Sequence, residues 1–83
     1  MIGTSKTREI IAIVEQIKPL LAGQKPEVIA AVLADLMAIL LAGHYAEGDE
    51  NETRKMRAEL LAMHCAKVRE LTRINAEIMG TTP

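Results

Sequence analysis

The sequence predicts an all-α protein: a three-helix bundle with a short first helix, a central apolar helix and a long third helix, completed by homodimerisation. Three observations predict it. From Pro26 to Ala42 the chain is apolar almost all the way round, with Asp35 as its one internal charge, and a helix of that kind has to be covered on most of its circumference. On either side of this run, apolar residues recur at three- and four-residue spacing, the period of an amphipathic helix. The composition is 49% hydrophobic but only 1% aromatic, with no Trp or Phe and Tyr45 as the sole aromatic, so a core here is built from Leu, Ile, Val, Met and Ala. Aliphatic, alanine-rich segments without strand-like alternation favour closely packed helices.

The first helix is expected over about 5–22, beginning near Thr4 or Ser5, whose hydroxyls can accept from first-turn amides. Ile10, Val14, Ile17 and Leu21 form its apolar stripe, widened by Ile13 and Leu20, with Arg8, Glu9, Glu15, Gln16 and Lys18 on the solvent side. Pro19 lacks an amide proton and crowds the preceding turn, which predicts a break or kink there. Gly23 then supplies a C-terminal cap.

The second helix is expected over 26–42. Pro26 occupies a favoured first-turn position and Glu27 faces the positive end of the helix dipole. Val28, Val32, Leu36, Ile39 and Leu40 make a bulky ridge, while Ala30, Ala34, Ala38 and Ala42 repeat every four residues and let another backbone come close.

The short link from Gly43 to Gly48 makes the second and third helices an antiparallel hairpin. Asp49 caps the third helix, with Glu52 in the reciprocal position of a capping box, and the helix runs over 50–79 until Gly80 and Pro83 end it. Its stripe of Met56, Leu60, Met63 or His64, Lys67 or Val68, Leu71, Ile74 and Ile78 is close to a seven-residue repeat. At roughly 1.5 Å per residue this helix is about 45 Å long, so its distal half needs cover beside the first helix or on another subunit.

At 83 residues the chain reads as a single domain over 1–83, and a domain this small withdraws only roughly 60–65% of its unfolded surface from water. A net charge of −1 gives no broad electrostatic argument for nucleic acid or an anionic membrane. The single Cys65 cannot close an internal disulfide, which suits a reducing, cytoplasmic setting. Glu15 and Lys18 interrupt the early Ile and Val cluster before it gains the length of a signal segment, and the central run falls short of the roughly 20 residues that span a bilayer.

A few polar residues invite chemistry. Folding the hairpin about the middle of its link sets Asp35 opposite position 57, so Asp35 is expected to pair with Arg57, either as a structural ion pair or, with His64, as the lining of a ligand pocket, the remaining alternative being that Asp35 reaches solvent at an edge. His44 and Asp49 could hold a divalent cation, although no His-x₃-His or Cys-x₂-Cys spacing supports it and His44 is already suited to a helix C-terminus. His64 and Cys65 are sequence neighbours that point about 100° apart on a helix, so they do not form a nucleophile and base. Arg54, Lys55, Arg57, Lys67, Arg69 and Arg73 put most of the basic residues on the third helix. Glu50 with Arg54, Lys55 with Glu59 and Arg73 with Glu77 can neutralise much of that charge, and the link fits a helix-turn-helix poorly. The reading that results is a non-enzymatic helical interaction or regulatory module, with no cofactor and with itself or another protein as partner. A small-ligand or metal-binding protein is the alternative, and a DNA-binding regulator the second alternative.

Overall fold

In a computed structural model, which describes residues 5–83, the chain is all-α: α1 spans Ser5–Leu21, α2 spans Pro26–Ala42 and α3 spans Glu50–Met79, with no strand among the described residues. Its contacts divide it into two compact units, Met1–Asp35 and Leu36–Pro83, whose border falls inside α2. No described helix is long and apolar enough to cross a membrane.

The first unit holds α1 and the N-terminal half of α2. Instead of breaking at Pro19, α1 runs through it to Leu21. Proline costs the helix the bond its amide would have made to the Glu15 carbonyl, but its fixed φ suits a helix and little more than half a turn lies beyond it. The Ala22 amide still reaches the Lys18 carbonyl at 3.0 Å, and the chain then reverses at Gly23, whose φ of +80° is a left-handed conformation open to glycine at little cost. The Lys25 carbonyl accepts from the amides of Val28 (2.9 Å) and Ile29 (3.1 Å), which starts α2 with Pro26 in its first turn, where a missing N–H leaves nothing unsatisfied. Ile17, Leu21 and Ile29 are the half-buried apolar residues of this unit. The Thr4 position suggested for the α1 cap lies outside the described residues.

The second unit is the helix hairpin. Arg57 of α3 reaches the carbonyls at the end of α2, while Met37, one turn earlier on α2, shares a depression with His64, Cys65 and Val68 further along α3. As α2 numbers fall, α3 numbers rise, so the two run antiparallel. The register differs from the one expected. A pivot at the middle of the link would set residue 35 against Arg57, whereas Arg57 lies against Leu41 and Ala42, six or seven residues nearer the turn.

The link itself causes the shift, because it lies back along the first turns of α3. The Ala46 amide donates to Thr53 Oγ1 at 3.0 Å, and the Thr53 hydroxyl has the Asp49 carbonyl at 2.8 Å and the Ala46 carbonyl at 3.2 Å as acceptors. The link thus occupies the first turns of α3, and Arg57, beyond them, bonds to the end of α2. Met56, Arg57, Leu60 and His64 are half-buried on α3, with Met37 and Leu41 on α2.

Both ends of α3 follow from their residues. Asp49 sits in an extended conformation (φ −131°) and its Oδ1 accepts from the Glu52 amide at 2.9 Å. The reciprocal half of the capping box does not form, because the Asp49 amide is already bonded to the Ala46 carbonyl at 3.0 Å. At the far end Gly80 adopts φ +73° and the Thr81 amide returns to the Ala76 carbonyl at 2.8 Å, a closure that requires the left-handed residue in between. Asp49→Ala is expected to cost about 1 kcal/mol, the usual value of an N-cap side chain, read as a fall in the urea midpoint with an unchanged slope.

Candidate functional site

Two of the polar residues singled out by the sequence, His44 and Arg57, meet at the end of α2, and there they complete a helix terminus. The last four carbonyls of an α-helix have no partner within it. Here each finds one. The Ile39 carbonyl accepts from the Gly43 amide at 3.0 Å, and the Leu40 carbonyl from His44 Nδ1 at 2.7 Å. The Leu41 carbonyl accepts from the His44 amide at 3.0 Å and from Arg57 Nε at 3.0 Å, and the Ala42 carbonyl from Arg57 Nη2 at 3.1 Å. Arg57 Nε is shared with the His44 carbonyl, also at 3.0 Å, so one guanidinium bridges three carbonyls around the turn.

A carbonyl can only accept, so the His44 ring is held as the tautomer with its proton on Nδ1. The cation of Arg57 lies where the α2 dipole is negative, which adds a charge–dipole attraction to the hydrogen bonds. Gly43 is not in the left-handed region, so α2 is closed by side chains from the link and from α3, with no glycine cap.

Beside this terminus is an open depression of about 370 Å³ lined by Ala46, Gly48, Asp49, Glu50, Thr53, Arg54 and Arg57. Its charged groups are largely engaged. Asp49 caps α3, Arg57 caps α2, and Arg54 Nη2 donates to Asn51 Oδ1 at 2.6 Å, where a bond to Glu50 was expected. Among the described residues no group of three or more His, Cys, Asp or Glu side chains is placed to hold a metal ion. His44 and Asp49 act as caps for two different helices.

Of the expected cluster of Asp35, Arg57 and His64, the last two lie in different surroundings on α3. Asp35 is exposed and has no ion pair among the described residues, while Arg57 is taken up by carbonyls. His64 lies two turns along α3 from Arg57 and lines a second depression of about 340 Å³ with Met37, Cys65, Val68 and Arg69. Cys65 is exposed.

Because Asp35 leaves no buried partner behind, Asp35→Ala is expected to change stability by no more than about 0.5 kcal/mol, the range of an ordinary surface substitution. A loss near 3 kcal/mol in denaturant titration would restore the buried pair expected from the sequence.

Three ion pairs form along single helices among the described residues. Lys18 with Glu15 (2.8 Å), Lys67 with Glu70 (2.9 Å) and Arg73 with Glu77 (3.3 Å) are all exposed pairs, of which only the last was among those expected. Pairs of this kind contribute little to stability. Glu70 has its pKa lowered, first by the hydrogen bond from Lys67 and then by the charge of the same ammonium.

The geometry thus defines a helical hairpin whose turn is built for capping. No protein-family model matches the sequence, and no curated protein or solved structure is significantly similar to it.

Proposed function

We propose that this chain is a non-enzymatic association module whose activity is the docking of helical faces, foremost with a second copy of itself. The observation that carries this reading is the uncovered ridge of α2. Val28 is 42% exposed, Val32 39%, Leu36 52%, Ile39 61% and Leu40 39%, on the most apolar segment of the chain. No described residue is fully buried. A ridge of this kind on a helix with so few charges is poorly matched to water, and contiguous apolar surface is the usual mark of an interaction site.

Magnitudes say how much of the chain the interface would need. Fully covering a Val, Leu or Ile side chain contributes about 1.5–3 kcal/mol, so finishing the burial of five side chains that are about half covered contributes roughly 5 kcal/mol. Association costs on the order of 4–15 kcal/mol in lost translational and rotational freedom. The α2 ridge alone is therefore marginal, and a stable pair would recruit further exposed apolar residues, of which α1 offers Ile10, Ile11, Ile13 and Val14.

Sedimentation equilibrium over a wide concentration range tests the reading. A mass that rises above 9.1 kDa toward twice that value with concentration is the expected result, and a concentration-independent 9.1 kDa overturns self-association.

A further inference from the structure

We draw no further inference here: the strongest candidate, the apolar ridge of Val28, Val32, Leu36, Ile39 and Leu40 along α2, belongs to the surface on which the association reading already rests, and nothing in the structure shows what covers it.

Discussion

Leu36→Asp is expected to abolish self-association while leaving the chain helical. Leu36 lies in the middle of the α2 ridge and is 52% exposed, so a carboxylate there meets water in the isolated chain and adds no large folding penalty. In an associated state the same carboxylate would be withdrawn from water without a partner, because α2 carries no cation and its own Asp35 is the preceding residue. Desolvating an unpaired charge and losing the leucine contact together cost about 3–4 kcal/mol, which weakens the dissociation constant by more than about a hundredfold. Sedimentation velocity and far-UV circular dichroism at matched concentrations separate the possible outcomes. Loss of the associated species with helicity retained supports the ridge as the docking face. An unchanged mass distribution removes the ridge from the interface. Loss of helicity would mean that Leu36 is covered within the folded chain, and association would then have to be sought on another face. Glu59→Gln, an exposed change on α3, is the control expected to alter neither quantity.

The elements themselves were legible in the sequence because local chemistry sets them. Pro26 with Glu27 marks the start of α2, Asp49 with Glu52 the start of α3, and Gly80 its end, each through a cap whose atoms lie within a few residues of one another. The hairpin register was not legible, since it depends on where a seven-residue link lies after folding. Thr53 draws that link back along α3 through bonds to residues four and seven positions away, and no periodicity announces it. Arg57 was singled out only as the partner of Asp35, whereas its own partners are backbone carbonyls, which every sequence supplies and none advertises. A signal did exist: α2 has no basic residue in its last turn, and the ring of His44 just beyond it reaches a single carbonyl, so the helix end requires further donors from elsewhere. The ridge of α2 was visible as a face. What covers a face is a property of the neighbour, and spacing along one helix carries no information about it.

Arg57→Ala is expected to be the most destabilising single polar substitution in the hairpin, by about 2 kcal/mol. Among the described residues the change removes the only hydrogen bond made to the Ala42 carbonyl and one of two made to the Leu41 carbonyl, and it frees the His44 carbonyl as well. Hydrogen bonds from a charged donor contribute about 1.5–3 kcal/mol where water is excluded, and Arg57 is only half-buried, so each bond is worth less here because water can replace part of it. The favourable placement of a cation at the α2 C-terminus is lost too, at about 0.3–1 kcal/mol. For a chain of this length 2 kcal/mol corresponds to a fall in Tm of roughly 8–16 °C. Arg57→Lys would recover the charge–dipole part but not the fork that reaches three carbonyls, so it should restore less than half of the loss. Thermal and urea unfolding measure the size of the effect. Amide hydrogen exchange places it, because loss of the cap should speed exchange at Gly43 and His44 and in the last turn of α2 while sparing the distal half of α3. A loss below about 0.5 kcal/mol, or a uniform rise in exchange along α3, would show that the α2 terminus is satisfied by water without Arg57.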